Sequence, residues 1–209
     1  MTTRPPGYRG LDERIAARGA GSVWIGDKVQ LRSREPGDAD AIPQFEHSAD
    51  ERSGWMIQPP RSRGATRKRF EEPAEKPPEP GSLDIDLAIA RRADDLMVGG
   101  INVGQVDQVN GTFSYGVGIA REHKGNGYAA EAVLLVMRFM FDERRFQKCE
   151  AQVYDYNSAS ISLHRKLGFT EEGRLRRHLF LAGEYHNELM FGMTVEEFRQ
   201  LYPRLKPTL

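Results

Sequence analysis

Two glycines, Gly125 and Gly127, stand immediately before an Ala-rich, helix-favouring segment in the stretch EHKGNGYAAEA, residues 122–132. Sequence typical of a strand, TFSYGVGIA, precedes this stretch, so the backbone is interrupted between a strand and a helix. The first N–H groups of a helix lack partners and carry the positive end of its dipole, and glycines leave room there for a phosphate. The stretch therefore predicts a phosphate site or, alternatively, only a tight strand-to-helix turn.

Two known phosphate motifs can be compared with this stretch. A P-loop, GxxxxGK[ST], is excluded because Gly125 is not followed at the right distance by Gly-Lys-Ser or Gly-Lys-Thr. GNGYAA does satisfy the dinucleotide fingerprint G-x-G-x-x-A, but residues 121–124 separate the strand from the glycine, and Asp155 comes too late to bind a ribose. A Rossmann-type dinucleotide binder is therefore kept only as a less favoured alternative.

The remaining pattern predicts a mixed α+β domain. Its order is strand, short helical region, three strands in an antiparallel meander, helix, strand, helix and two final strands. Asn157 at an N-cap position and Gly168 after the last periodic residue bracket the second long helix. We expect a flexible N-terminal extension over residues 1–21, one domain over 22–209, and a Pro- and charge-rich insertion at about 59–82.

Charge and cysteine content limit the partners and the compartment. Thirty basic residues balance thirty acidic residues, which gives no reason to expect nucleic acid or a membrane surface as a partner. The longest apolar run, residues 132–137, is far shorter than the roughly 20 residues that span a bilayer. The lone Cys149, and an N-terminus without the apolar core of a signal peptide, predict a cytoplasmic protein.

Two motifs, in this order, resemble the GNAT acyltransferase superfamily. KGNGYA matches its [RQ]-x-x-G-x-[GA] motif, with Lys124 in place of the usual Arg or Gln, and NSASISLHRKLGF is similar to the signature that follows its fifth strand. The resemblance covers about residues 28–199 and is greatest to the branch of ribosomal-protein N-terminal and spermidine acetyltransferases. It implies a mostly antiparallel sheet of about seven strands flanked by helices, with a V-shaped splay between the fourth and fifth strands. Asn187, after GEYH, replaces an Asp that is frequent in that branch.

The resemblance implies acetyl-CoA as the acyl donor and no metal. The pantetheine arm of the cofactor would pair like an extra strand with Val117 and Ile119. Gly116 and Gly118 predict a bulge that opens the cleft for this arm or, alternatively, only a weakened strand. Cofactor binding is expected from the fourth strand, the glycine turn and the helices that follow: Val117, Ile119, Lys124, Gly125, Asn126, Gly127, Tyr128, Ala129, Ala130, Asn157 and Ser160.

Three polar residues of the second motif, Asn157, Ser160 and His164, recur at i, i+3 and i+7 and fall on one helix face. Asn157 is equally explained as a helix cap. His164 occupies a position that the family often fills with Tyr, which implies a proton donor to the departing CoA thiolate. The N–H near Ile119 is the expected oxyanion donor. Four side chains are conceivable as the general base, without a choice among them: Glu46, His47, Tyr115 and His186.

These observations lead to one hypothesis and one alternative. The hypothesis is an N-acetyltransferase that transfers acetyl from acetyl-CoA to a primary amine of a small molecule or a protein N-terminus, by direct attack in a ternary complex. The alternative is an acyl-CoA-binding regulatory or interaction module without turnover, to which the departures Lys124 and Asn187 point. The family also allows a homodimer, although no residue specifies an interface.

Overall fold

The computed structural model describes residues 10–18, 22–41 and 81–205, together with isolated positions 62, 64 and 68. Within the three ranges the chain forms seven strands and four α-helices. The strands are β1 (Val29–Arg32), β2 (Asp86–Arg91), β3 (Met97–Asp107), β4 (Thr112–Ile119), β5 (Lys148–Tyr154), β6 (Thr170–Leu181) and β7 (Glu184–Thr194). The helices are α1 (Leu11–Arg18), α2 (Tyr128–Arg138), α3 (Ser158–Leu167) and α4 (Val195–Leu201). No helix in these ranges is long and apolar enough to cross a membrane.

The strands form one sheet in the order β1-β2-β3-β4-β5-β7-β6. Every neighbouring pair is antiparallel except β4 and β5, which are parallel. Parallel neighbours need a long crossover connection, and α2 supplies it here. This arrangement confirms the predicted α+β fold with a mostly antiparallel sheet of about seven strands.

Strands β4 and β5 pair over only three positions, the last of which joins Ser114 to Glu150. Beyond this position the two strands diverge, which confirms the predicted splay. The bulge predicted at Gly116 and Gly118 is wrong, because β4 stays in unbroken register with β3 over the rest of its length. A neighbouring side chain explains Gly116 instead, since a Cβ there would lie 2.6 Å from the Asn102 side-chain oxygen.

Helix α2 covers one face of the sheet and supplies much of the core. All eight residues from 130 to 137 are buried, as the apolar pattern of this helix predicts. After a π-helical turn, Phe139–Glu143, the ring of Phe141 packs edge-on against Phe113 of β4, with 5.6 Å between ring centroids. Each large apolar side chain buried in this way stabilises the fold by about 1.5–3 kcal/mol. The packing therefore fixes α2, and with it the glycine turn that precedes it.

Helix α3 begins and ends at the predicted residues. The Asn157 side-chain oxygen accepts the N–H of Ser160 at 3.0 Å, and Gly168 ends the helix with a φ of 91° in the left-handed region. Both signals act within a few residues of chain. The helix is therefore held in place by its own sequence as well as by the sheet beneath it.

Helix α1 packs against a C-terminal 3₁₀ turn, Pro203–Leu205. Its apolar residues Leu11 and Ile15 are buried in the core, so this helix is part of the folded domain. The remainder of the flexible extension predicted for residues 1–21 lies largely outside the described residues. Most of the insertion predicted at about 59–82 also lies outside them, and both stay predictions.

Candidate functional site

The backbone of the glycine turn between β4 and α2 is accessible to a ligand. Gly125 and Gly127 have φ values of 83° and 82°, in the left-handed region that favours glycine, and Gly127 caps α2 without a side-chain hydrogen bond. Among the described residues, no atom lies within 4 Å of the position that a Cβ at Gly125 would take. The first N–H groups of α2, from Tyr128 to Ala130, therefore point out of the helix without a bulky neighbour. An anion can approach them, and the helix dipole attracts it.

Lys28, just before β1, adds a positive charge to the glycine turn. Its Nζ donates to the carbonyl oxygen of Asn126 at 2.9 Å and lies 3.9 Å from the point where a Cβ on Gly127 would stand. Lys124, the cation that the motif predicts, is exposed at the end of a short 3₁₀ turn. Nothing local in the sequence indicates Lys28, because 98 residues separate it from Asn126.

A buried carboxylate, Glu131, links β1 to α2. Its Oε1 accepts the N–H of Lys28 at 2.8 Å and that of Val29 at 3.2 Å, so the helix satisfies two backbone donors at the start of β1. Gly26 is required beside this carboxylate, because a Cβ there would collide with it. Glu131 is an acidic residue in a helix that is otherwise apolar on most sides. An acidic residue at such a position is the sequence signal that predicts a buried hydrogen-bonding partner.

Glu131→Gln is expected to change how stability depends on pH. Burial raises the pKa of Glu131 above its ordinary value of 4.5, against the opposing effect of the N–H donors. Between pH 4.5 and the raised pKa the folded protein then binds more protons than the unfolded chain. The contribution of this group to stability therefore falls as pH rises through that window. Glutamine keeps an acceptor oxygen but does not titrate, so the variant should lose this component.

Urea unfolding of both proteins, from about pH 4 to about pH 8, measures the effect. The free energy of unfolding of the wild type, minus that of the variant, should decline as pH rises. Groups that titrate elsewhere cancel in this difference. The exposed Glu122 provides the control for loss of a carboxylate, because Glu122→Gln should change the free energy of unfolding by no more than about 0.5 kcal/mol. A flat difference for Glu131→Gln would contradict the assigned titration.

Alternate residues of β4 direct their backbone groups into the cleft. The N–H of Ala120 donates to the carbonyl oxygen of Val98 in β3 at 2.9 Å. Backbone groups of successive strand residues point to opposite sides, so those of Ile119 and Val117 point away from β3, toward the diverging β5. Past Ser114 no β5 residue pairs with them. These groups can therefore pair with an extended ligand as they would with an added strand.

Tyr115 of β4 and His164 of α3 form a hydrogen-bonded pair at the apex of the cleft. The Tyr115 hydroxyl lies 2.8 Å from Nε2 of His164, and Nδ1 lies 2.7 Å from the carbonyl oxygen of Ser160. A carbonyl oxygen only accepts, so the ring proton is assigned to Nδ1, and Nε2 accepts the O–H of Tyr115. His164 is 3% exposed and stacks on Phe191, with ring centroids 5.4 Å apart. These contacts fix the position of the pair.

Burial keeps both members of this pair neutral. It lowers the pKa of His164 below its ordinary value of 6.5, and it raises the pKa of Tyr115 well above 10. Near neutral pH, His164 therefore has no proton on Nε2, and Tyr115 is a hydrogen-bond donor rather than a base. A proton that leaves this pair comes from the O–H of Tyr115.

Helix α3 brings Asn157, Ser160 and His164 together, as their spacing predicts. The Asn157 side-chain oxygen is used as the helix cap, which leaves its NH₂ group for a ligand. The Ser160 hydroxyl lies 3.4 Å from Nδ1 of His164. Their roles toward a cofactor stay predictions.

Of the four conceivable general bases, Tyr115 and His186 lie in the described part of the chain. Glu46 and His47 lie outside the described residues. His186 of β7 has its Nδ1 3.5 Å from a carboxylate oxygen of Asp155. Asn187, which replaces the frequent Asp, donates to the other oxygen of Asp155 at 2.6 Å. This asparagine therefore links the end of β5 to β7.

A family model described as an acetyltransferase (GNAT) domain matches residues 28–170. The chain belongs to the GNAT family. The matched range contains the glycine turn, both strands of the cleft and all of α3, while β7, which carries Phe191 and His186, lies outside it.

Relatives match most of this GNAT chain. It is 39% identical to the SPbeta prophage-derived uncharacterized N-acetyltransferase YokL of Bacillus subtilis (strain 168) over 179 residues, which are 85% of this chain and 96% of that protein. The spermidine N(1)-acetyltransferase of Escherichia coli (strain K12) is 26% identical, over 77% of this chain and 83% of its own. A solved structure of RimL, a ribosomal alpha-N-protein acetyltransferase in complex with coenzyme A, has a TM-score of 0.68 at 18% identity, covering 81% of this chain and 96% of that one. The structural likeness shows that the GNAT fold is shared.

Proposed function

We propose that this protein transfers acetyl from acetyl-CoA to a primary amine, of a small molecule or of a protein N-terminus, by direct attack in a ternary complex. One observation carries the proposal. Strands β4 and β5 diverge after Ser114, and the resulting cleft leads directly to the open helix N-terminus at Gly127. Five strand residues, at about 3.3 Å each, place the apex at Tyr115 roughly 16 Å from Ala120 at the mouth. The cleft therefore suits a ligand with a diphosphate at one end and a reactive group on an extended arm.

In this proposal the diphosphate of acetyl-CoA lies at the glycine turn. The N–H groups of residues 128–130 and Nζ of Lys28 bind it, while Gly125 and Gly127 leave room for it. The pantetheine arm pairs with the backbone groups of β4 that face the cleft, which places the thioester near the apex. The relative RimL was solved with coenzyme A, which supports the same donor here.

The chemistry follows from the groups at the apex. The amine nitrogen attacks the acetyl carbon, and the bond between that carbon and the CoA sulfur breaks. With the thioester at the apex, Ile119 lies four strand residues, about 13 Å, from Tyr115. The N–H of Val117, which also faces the cleft, is nearer and is the donor that stabilises the oxyanion on the acetyl oxygen. The O–H of Tyr115 turns from Nε2 of His164 to the departing thiolate and protonates it. The phenolate recovers a proton from solvent, and the amine nitrogen releases one, so protons balance.

The acceptor is proposed at the level of its chemical class. Two relatives are named as acetyltransferases of spermidine and of the alpha-N position of a ribosomal protein. Both present an amine, which attacks a thioester once it is unprotonated. A primary amine is therefore the acceptor class that we propose for this chain.

An acceptor screen tests the proposed function. Polyamines, peptides with free N-termini and aminoglycosides are each mixed with acetyl-CoA and the protein, and thiol release is followed with a colorimetric thiol reagent. We expect steady release, well above hydrolysis without amine, with at least one class. Gly127→Glu, which should not bind the donor, is the matched control. Binding of CoA without release in the presence of any amine would contradict the enzyme and leave a binding module.

A further inference from the structure

Helix α1 lies outside the range that the GNAT family model matches, yet it borders the proposed diphosphate site. A cavity of about 600 Å³ lies beside the glycine turn, and Arg18, the last residue of α1, lines it together with Asp27, Lys28 and Asn126. Asn126 belongs to the glycine turn itself. The C-terminal end of α1 therefore shares one space with the anion that this turn is proposed to bind.

Asp27 places a negative charge at the wall of this space. Its side chain is only 7% exposed, and the next residue, Lys28, donates from Nζ to the carbonyl oxygen of Asn126 at 2.9 Å. A carboxylate so close to the glycine turn repels a bound phosphate, because like charges within a Debye length of roughly 10 Å still interact. An unpaired Asp27 would thus oppose the ligand that the helix N-terminus attracts.

Two arginines of α1 neutralise this carboxylate. Nε of Arg14 lies 3.2 Å from one oxygen of Asp27, and Nη1 of Arg18 lies 3.0 Å from the other. Arg14 and Arg18 are one helical turn apart, so both reach the same carboxylate from one face of α1. Together the two cations outweigh the single carboxylate, and the wall of the cavity beside the glycine turn becomes positive.

Further contacts hold α1 in this position. Nη1 of Arg92 donates to the carbonyl oxygen of Arg18 at 3.1 Å and to that of Gly26 at 2.8 Å, so it joins the end of α1 to the residue before Asp27. A cation at a helix C-terminus also interacts favourably with the helix dipole. On the other side of α1, Leu11 and Ile15 are buried in the core. Apolar packing therefore holds the two arginines near Asp27 in addition to the ion pairs.

We propose that α1 is part of the donor site, in which Arg14 and Arg18 are positioning residues that raise the affinity for acetyl-CoA by neutralising Asp27. The inference rests on the proposed function, because the anion concerned is the diphosphate of that cofactor. The arginines act through the carboxylate with which they pair. Replacing this carboxylate by a neutral amide should therefore compensate for their removal.

Calorimetric titration of the full chain with CoA tests the proposal on three variants and the wild type. We expect the double variant Arg14→Gln/Arg18→Gln to bind CoA about tenfold more weakly, a difference of about 1.4 kcal/mol. Adding Asp27→Asn to this variant should return Kd to within about threefold of the wild type, because the repelling charge is removed. Arg174→Gln/Arg176→Gln, with the same change of charge at exposed positions of β6, should bind CoA as the wild type does.

Each outcome decides the proposal. Unchanged affinity in Arg14→Gln/Arg18→Gln overturns it while the proposed function stands. A loss that Asp27→Asn does not reverse overturns it as well, because the arginines would then act otherwise than through that carboxylate. Absence of CoA binding by the wild type removes the proposed function and this inference with it. The tenfold ratio of Kd values should also shrink as the salt concentration rises, and a ratio that persists would indicate mere displacement of α1 and overturn the proposal. Thermal melting verifies that each variant is folded.

Discussion

Gly127→Glu is expected to weaken CoA binding at least about 100-fold. The new carboxylate would lie at the helix N-terminus, where the diphosphate is proposed to bind. Two unit charges about 4 Å apart near a protein surface repel each other by about 4 kcal/mol, and two thirds of that energy already raises Kd about 100-fold. The side chain would also fill space that only Nζ of Lys28 borders, 3.9 Å from the Cβ position. Calorimetric titration with CoA measures the loss.

The control variant for Gly127→Glu must introduce the same backbone strain and the same negative charge at another glycine. Gly183, in the turn between β6 and β7, has a φ of 89° and open space around its Cβ position, which matches Gly127 closely. Gly183→Glu therefore has a similar backbone cost, of about 1–2 kcal/mol, but it leaves the glycine turn itself unchanged. Its affinity for CoA should stay within about threefold of the wild type. Undiminished affinity in Gly127→Glu would refute the proposed position of the diphosphate.

Tyr115→Phe is expected to lower kcat about 100-fold while KM for acetyl-CoA changes by less than about threefold. The substitution removes the only O–H of the apex pair but keeps the ring. It acts on the departure of the thiolate rather than on binding of the cofactor, so the loss belongs in kcat. Steady-state kinetics with an amine found in the acceptor screen measure both constants.

A second variant separates the two members of the pair. His164→Phe keeps stacking against Phe191 but leaves the Tyr115 hydroxyl without its acceptor, so turnover should fall about tenfold, less than in Tyr115→Phe. Tyr185→Phe, at an exposed site on β7, is the control for loss of a phenol and should be unchanged. A larger loss in His164→Phe than in Tyr115→Phe would assign the proton donor to the histidine. The melting temperature of Tyr115→Phe must also be measured, because this variant leaves the buried Nε2 of His164 without its hydrogen-bond donor, which costs about 1–3 kcal/mol.

Elements with local signals are predictable from this sequence. Helix α3 has its cap at Asn157 and its stop at Gly168, and each acts on backbone groups a few residues away. The glycine turn is visible for the same reason, because Gly125 and Gly127 both require a left-handed φ. The splay follows from the family resemblance, and the structure confirms it. The order of strands and helices along the chain is therefore predicted correctly, whereas the place of β7 between β5 and β6 in the sheet is seen only in the structure.

Contacts between distant segments are not predictable in the same way. Lys28 reaches the glycine turn across 98 residues, and Tyr115 meets His164 across 49. Neither pair leaves a periodic or compositional signal. The bulge expected at Gly116 fails for a related reason, since a side chain of the neighbouring strand, not the local backbone, demands glycine there. The groups that surround the proposed cofactor therefore emerge only when the chain is folded.

The contact between helix α1 and the turn Pro203–Leu205 has a consequence for synthesis of the protein. Asp12 accepts the N–H of Arg204 at 3.4 Å across 192 residues. At about 5–20 residues per second, a ribosome needs roughly 10 to 40 seconds to translate that interval. During this time Leu11 and Ile15 have no C-terminal turn to cover them. We therefore expect the segment Leu11–Arg18 to stay uncovered in the nascent chain until residues 203–205 have left the ribosome.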